Sequence, residues 1–293
     1  MAEAAPLRAG IEAARLDPGL YLVATPIGAA RDITLRALDT LNSADILAAE
    51  DTRTMRHLMD IHGIPLRGRR ILAYHDHNAD RHGPAMLAAI GGGKSVAYAS
   101  DAGTPLVSDP GYRLGRDAID AGLAVHAVPG ASAMLAGLTV SGLPSDRFLF
   151  AGFPPTPLGQ RRSWLEKWSQ VDATLIFFES PRRVKQTLEL LCETGADGRN
   201  VAVGRELTKR FEEVFRGTVA QVSDAIPDGG IKGEVVVILD RAGEAEPDPD
   251  RVRKELQEAV KTMTKRDAAA AVAQKLGLPR REVYQIALQL GEG

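Results

Sequence analysis

The chain has 293 residues, 44% hydrophobic and 25% charged, and carries a formal charge of −2. That length suffices for about two domains with real hydrophobic cores, and no run approaches the roughly 18 apolar residues of a membrane span. One cysteine, Cys192, leaves no internal disulfide, which fits a reducing cytoplasm, and in LELLCE it reads as a small buried hydrophobe.

Residues 1–18 are charged and Ala-rich without the apolar core of a secretory signal, and read as a mobile extension. Short apolar runs then alternate with amphipathic ones. Strands are expected at LYLVAT (20–25), DILAAE (45–50), RILAY (70–74), SVAYAS (95–100) and AVHAV (124–128). Helices are expected at TLRALDTLN, TRTMRHLMDIHG, RHGPAMLAAIGG and YRLGRDAIDAG between them. This alternation means crossover units and a mostly parallel sheet. After a helix in PGASAMLAGLTVSGLPS, a second series follows: FLFAGF (148–153), TLIFFES (174–180), VAVGREL (201–207), EEVFRGTV (212–219) and EVVVILD (234–240). The alternating EEVFRGTV implies an antiparallel member and a mixed sheet. The fold class is therefore α/β, with an N-terminal α/β domain at 19–130 and a C-terminal one at 131–240. RAGEAEPDPD (241–250) reads as a linker, and 251–293 as a helical tail whose two helices around LGLP resemble a helix-turn-helix or form a plain cap or dimer arm. From Arg251 to Gly293 there are nine Lys/Arg against five Asp/Glu, a net +4 on a body of −6. Such a tail points weakly to a polyanionic partner.

The motifs sit where strands are expected to end. GGGKS (91–95) mimics a phosphate-binding loop, but Ala88 stands where its first glycine belongs and a strand follows instead of a helix. The dinucleotide fingerprint is absent after the first strand; TPIGAARD (25–32) takes its place, with Pro26 ending the strand, Gly28 allowing close approach and Asp32 able to cap a helix. SDAGTP (100–105) follows the most apolar strand. It offers the backbone of Ala102 and Gly103, the hydroxyls of Ser100 and Thr104, and Asp101 as an acceptor, a combination suited to a polar zwitterionic ligand at a sheet's C-terminal edge. Asp109 and Pro110 are placed to start the next helix. VPGASA (128–133) repeats the small-residue theme. EDTRT (50–54) and YHDHN (74–78) crowd acids, Arg53, histidines and Asn78 onto the same edge. His75 and His77 with one acid are too few for a metal site. His57, His62 and His126 read as surface or packing residues. Each loop alone could be an ordinary tight turn.

Taken together, LYLVATPIGAARDITLRAL, AEDTRT, YHDHN, YASDAGTPLVSDPG, VPGASA and FES-PRR resemble the tetrapyrrole methylase-like (class III) S-adenosylmethionine-dependent methyltransferases. Within them the likeness is to the subgroup that modifies bacterial small-subunit rRNA, over about 20–240 with a similar helical tail after it. The resemblance implies a cytoplasmic homodimer of two α/β domains that binds S-adenosylmethionine in the cleft between them. It implies methylation of a cytidine ribose 2′-OH in the decoding centre of 16S rRNA, on the 30S subunit. Carried over by position, Pro26, Asp101, Ala102, Gly103, Thr104, Ser132 and Ala133 face the cofactor, with Phe153, Glu179 and Gly233 from the second domain. A ribose hydroxyl needs help losing its proton, so Glu50, Asp51, Arg53, His75 and Asn78 are the catalytic candidates. Arg53, Arg182, Arg183, Lys209 and Arg210 are candidates for phosphate contacts, and no metal is expected. A tetrapyrrole methylase of the same class and a non-catalytic ribosome-binding module remain as alternatives.

Overall fold

A computed structural model describes residues 10–75, 78–107, 111–242, 249–261, 263–276 and 280–289. Five parallel strands form the first sheet: β1 (Gly19–Val23), β2 (Ile46–Ala49), β3 (Ile71–Ala73), β4 (Ser95–Ala99) and β5 (Val125–Val128), in the order β3-β2-β4-β1-β5. All five β4 residues are buried, because helices cover both faces. Strand side chains alternate between faces. Val96 and Tyr98 meet Met86, Ile90, Leu114 and Ala118 of α3 (Ala79–Gly91) and α4 (Gly111–Asp120). Ala97 and Ala99 meet Leu38, Leu41, Met55 and Met59 of α1 (Leu35–Ser43) and α2 (Thr52–Ile61). The crossover from β1 leads towards β2 and that from β4 towards β5, in opposite directions along the sheet. Since β1 and β4 are neighbours, a crevice opens at their C-terminal ends, the position where such sheets take ligands. GGGKS is a plain helix-to-strand turn: Gly92 ends α3, Gly93 has φ +89° and β4 begins at Ser95.

The extension is docked over its described part. Ile11 and Leu16 pack against the α1/α2 core. Glu12 N–H donates to Asp39 Oδ1 (2.7 Å), Ala14 N–H donates to Ser43 Oγ (3.2 Å), and Asn42 Nδ2 donates to Glu12 C=O (3.2 Å). The reading of 1–18 as mobile therefore fails for residues 11–16. Their bonds come from backbone groups, which leave no pattern in composition.

The second sheet is mixed, as EEVFRGTV suggested. It runs β6-β7-β10-β8-β9, from β6 (Phe148–Phe150), β7 (Thr174–Glu179), β8 (Asn200–Arg205), β9 (Glu213–Thr218) and β10 (Val235–Leu239). Only the β6–β7 pair is parallel. One face, including Leu175, Phe177, Val203 and Val237, is covered by α6 (Leu158–Ser169), α7 (Val184–Leu191) and α8 (Val219–Ala225) through Leu165, Leu188 and Val222. The other face, Ile176, Ala202, Val236 and Ile238, receives Leu138 of α5 (Ala133–Ser141). The helix follows β5 of the first sheet yet packs on the second. Gly137 makes this possible, since a Cβ there would lie 2.8 Å from Val236 Cγ1. Ile27 and Leu207 join the same cluster, so the two sheets share an apolar seam beside the crevice.

Helices α9 (Pro249–Ala259), α10 (Lys265–Leu276) and α11 (Arg280–Gln289) enclose a small core of Val252, Leu256, Ala268, Val272, Val283 and Ala287. Proline suits a first helical turn, so α9 begins inside the stretch read as linker. Most of the LGLP turn lies outside the described residues. Among the described residues no helix is long and apolar enough to cross a membrane.

Candidate functional site

The loops after β1, β4 and β5 are laced together at the crevice. Thr25 and Gly103 form an isolated antiparallel bridge: Thr25 N–H donates to Gly103 C=O (2.9 Å) and Gly103 N–H donates to Thr25 C=O (3.1 Å). The Ser100 hydroxyl donates to Gly103 C=O (2.6 Å), the Thr25 hydroxyl to Ser100 C=O (3.0 Å), and the Thr104 hydroxyl to Ala131 C=O (3.0 Å). Gly103 takes φ +82°, and Gly130 lets the β5 loop approach Ala24, because a Cβ would lie 2.9 Å from the alanine Cβ. The expectation that Gly103 holds bare backbone groups for a ligand is therefore corrected, and the Ser100 and Thr104 hydroxyls, also expected to be offered to it, give their protons to Gly103 and Ala131 C=O. They hold one another, and the loop is a rigid wall.

Behind that wall lies a cleft of about 490 Å³, within the size range of small-molecule sites. From the first half of the chain it is lined by Ile27, Ala102, Gly103, Thr104, Val107, Ser132 and Ala133. From the second come Phe153, Phe178, Glu179, Ser180, Pro181 and Arg183, then Gly204 and Leu207, then Gly233 to Val236. Eight of the ten expected cofactor residues thus meet in one cavity. Pro26 lies between Thr25 and Ile27 without lining it. Asp101 does not line it either: its Oδ1 accepts the Asp51 N–H (2.8 Å), which ties the β4 loop to the β2 loop. Ser132 precedes α5 without capping it, so a hydroxyl and a helix start face the cavity, an arrangement that suits an anionic group. Phe153 is 55% exposed and leans on Phe178, with ring centroids 5.4 Å apart. Gly233 has φ +98°, and a Cβ there would overlap the Glu206 side chain.

Glu179 ends β7 with its side chain fully buried. Oε1 accepts from Ser180 N–H (2.6 Å) and Arg183 Nη2 (2.7 Å), and Oε2 from the Thr187 hydroxyl (2.7 Å). Arg161 of α6, also buried, donates to Thr187 Oγ1 (3.4 Å), Gln186 Oε1 (3.1 Å) and Thr156 C=O (2.8 Å). Burial lowers the Arg161 pKa, with Glu179 pulling the other way. Arg183, expected at a phosphate rim, is drawn into this network. Lys209 is engaged too, bonded to Glu206 Oε1 (2.9 Å) and Glu234 Oε2 (2.8 Å). Burial opposes its charge, yet these two partners hold its pKa above the ordinary value. Arg182 and Arg210 stay exposed, and among the described residues neither makes an ion pair.

The five catalytic candidates lie outside the cleft, further along the same sheet edge. Glu50 and Asp51 follow β2, and His75 and Asn78 follow β3. Asp51 caps α2 by accepting Arg53 N–H (2.8 Å) and pairs with the Arg53 guanidinium (2.7 Å). Asn78 fastens the β3 turn: Oδ1 accepts His75 N–H (3.0 Å), while Nδ2 donates to Ala73 C=O (3.0 Å) and lies 3.2 Å from His75 Nε2. His77, Asp109 and Pro110 lie outside the described residues. Among the described residues no three His, Cys, Asp or Glu side chains gather to hold a metal ion. His126 stacks on Tyr21 (4.5 Å) and His62 Nε2 meets Ala30 C=O (3.0 Å), both as packing groups. Cys192 is half-buried against the second core, and burial raises its pKa.

The bonds to Arg53 draw the Asp51 carboxyl from 3.8 down to about 2. A depressed carboxyl pKa stabilises the fold above the ordinary value, and the contribution is lost as pH falls through the folded one. The Asp51 carboxyl carbon should therefore titrate by NMR near pH 2, and move up towards 3.8 in Arg53→Met. An ordinary midpoint in the unsubstituted protein would dissolve the pair.

Residues 19–223 match the family model of Tetrapyrrole (Corrin/Porphyrin) Methylases, and residues 245–291 that of the RsmI C-terminal HTH domain. The chain is 50% identical over 288 residues to ribosomal RNA small subunit methyltransferase I of Mesorhizobium japonicum, covering 97% of each chain. It is 36% identical to the protein of that name from Bacillus subtilis, covering 90% of this chain and 92% of the relative. Among solved structures, the methyltransferase CobJ superposes with a TM-score of 0.58 at 19% identity, over 76% of this chain and 94% of the other. Diphthine synthase does so with 0.55 at 17%, over 75% and 89%; both likenesses concern the fold. The chain belongs to the tetrapyrrole methylase family of enzymes, in the branch of the ribosomal RNA small subunit methyltransferase I proteins.

Proposed function

We propose that this enzyme uses S-adenosylmethionine to methylate small-subunit rRNA, and that its target atom is the 2′-oxygen of a cytidine ribose in the decoding centre of 16S rRNA. The observation that carries the reading is the likeness, along nearly the whole chain, to relatives named for ribosomal RNA methylation. The cleft fits the donor. Its volume suits one small molecule, Phe153 and Phe178 offer an aromatic wall, and Ser132 with the start of α5 offers a polar end. Gly103 and Gly233 both line it in left-handed backbone, where a Cβ would crowd Ile27 and Glu206. The family resemblance supports the further reading that the protein acts on the 30S subunit as a cytoplasmic homodimer.

When bound, S-adenosylmethionine supplies a methyl carbon already activated by its sulfonium. The chain's task is to bring the ribose oxygen in line and to take its proton; alignment can supply much of the barrier lowering. The edge carrying Glu50, Asp51, His75 and Asn78 adjoins the cleft through the Asp51–Asp101 bond, which is where a substrate approaching along the sheet edge would arrive. An acid with a pKa of about 2 is a poor base near neutral pH. Asp51 therefore serves to hold Arg53 and the end of α2, and Arg53, 89% exposed, is left to meet phosphate. His75, oriented by Asn78, is the proposed proton acceptor, with Glu50 beside it on the edge.

Calorimetry with S-adenosylmethionine and with S-adenosylhomocysteine tests the cofactor assignment; one site per chain is expected, and heat with neither compound would remove the methyltransferase reading. His75→Ala should slow single-turnover methylation by about 10²–10⁴-fold and leave cofactor affinity unchanged. Unchanged turnover in that variant would take His75 out of the chemistry.

A further inference from the structure

The connection from β8 to β9, residues 206–212, is built with more constraint than a hairpin turn needs. Glu206 (φ +51°) and Thr208 (φ +65°) both occupy the left-handed region, and for a β-branched residue such as Thr208 this is a true outlier. Strain of this kind persists only where the surroundings enforce it, and it gathers at binding and catalytic sites. The enforcing contacts are present. Thr208 N–H donates to Glu212 Oε2 (2.5 Å), Thr208 Oγ1 accepts Ala29 N–H (3.1 Å), and Lys209 bridges Glu206 and Glu234. Gly28 is pressed so closely to Leu207 C=O and to the Lys209 stem that a Cβ would overlap the latter. The loop is thus clamped to the β1 loop through Thr208 and Lys209, and beside them lines the cleft through Leu207.

At its tip stand two side chains this clamp does not use. Phe211 is 63% exposed. The Arg210 guanidinium carbon lies over its ring, 5.4 Å from the centroid, and Arg210 makes no ion pair among the described residues. A large aromatic face and a cation with no ion pair among the described residues, on a clamped loop that lines the cleft through Leu207, form the pair that single-stranded nucleic acid is bound by: a base stacks on the ring and the charge meets backbone phosphate or adds a cation–π contribution.

Resting on the reading of RNA as the substrate, we propose that Phe211 with Arg210 is a stacking platform for an unpaired nucleobase of that RNA. It would hold a base next to the reacting nucleotide and so set the substrate's register against the cleft.

The test uses the full-length protein, S-adenosylmethionine and unmethylated 30S subunits, together with an RNA hairpin carrying 2-aminopurine in its single-stranded loop. Wild type must first transfer methyl groups; failure there would refute the RNA reading itself and, with it, the platform. Given transfer, Phe211→Ala is expected to weaken RNA binding by about 5- to 100-fold, the range of one lost base–aromatic stack. It should also abolish the quenching of 2-aminopurine and leave calorimetric S-adenosylmethionine affinity unchanged. Phe211→Trp is expected to restore both binding and quenching. The platform is refuted if Phe211→Ala binds and methylates RNA as wild type does, if its loss lies in cofactor affinity, or if it changes the sedimentation coefficient of the RNA-free protein. The last result would make Phe211 a contact between copies of the chain.

Discussion

Replacing Gly103 by valine is expected to weaken S-adenosylmethionine binding by about 100-fold or more while the chain still folds. Left-handed backbone in a residue with a side chain adds about 1–2 kcal/mol, and crowding a packed site adds roughly 1–3. Both apply, since φ is +82° and the new Cβ would lie 3.2 Å from Ile27 Cγ2. The cheapest relief is to break the two bonds to Thr25, which moves the cleft wall and leaves the sheet beneath it intact. Because each 1.4 kcal/mol is a factor of ten, a combined cost near 3 kcal/mol gives the stated loss. Calorimetry measures it, and a thermal melt shows whether folding was spared. Binding equal to wild type would mean that the Thr25–Gly103 bridge does not shape the site.

Glu179→Gln should have the largest effect on stability. The carboxylate is fully buried and accepts from Ser180, Arg183 and Thr187, and Arg161 is held in the same network. Removing one member of a buried ionic group typically costs about 3–5 kcal/mol, because its partners are left uncompensated. Arg183 remains partly hydrated, which favours the lower end of that range. Urea unfolding followed through Trp164 and Trp168, which pack against the adjacent core, reads the change. The same variant should bind S-adenosylmethionine more weakly, because the wall of Glu179, Ser180 and Arg183 loses its anchor. A shift below about 0.5 kcal/mol, the size of an ordinary surface substitution, would show the network to be incidental.

These two residues also mark where reading residues in order succeeds and where it stops. Strands of the first sheet are legible because burial on both faces makes them continuous apolar runs, SVAYAS above all. The loops after β1, β4 and β5 are legible because close packing at a crevice demands glycine, proline and small residues. What those loops do with their hydrogen bonds is not legible: the Gly103 amide that looks available is bonded to a residue 78 positions earlier. Helix α6 was missed because Arg161 points inward, so LGQRRSWLEKWS lacks a clean apolar stripe. Helix α8 was missed because Val219, read as the end of a strand, is the first residue of a helix capped by Thr218 and Gln221. Arg183 and Lys209 looked like exposed rim charges, although Glu179 stands four residues before the one and Glu206 three before the other; Glu234 meets Lys209 only because β8 pairs with β10. Phe178, Leu207 and Val236 line the cleft, while the sequence marks them only as members of expected strands. Alternation along β7 and β10 indicated that their side chains face both ways, yet nothing local distinguishes the face that meets α5 and the crevice from the one that meets α6, α7 and α8.

The most direct test of the account is transfer of tritiated methyl groups from S-adenosylmethionine to unmethylated 30S subunits by the purified protein, with the labelled nucleotide mapped and its ribose 2′-oxygen examined. Label is expected on the 2′-oxygen of a single cytidine in the decoding centre, lost in Gly103→Val and strongly reduced in His75→Ala. Cofactor binding by calorimetry without any label in the RNA would contradict it.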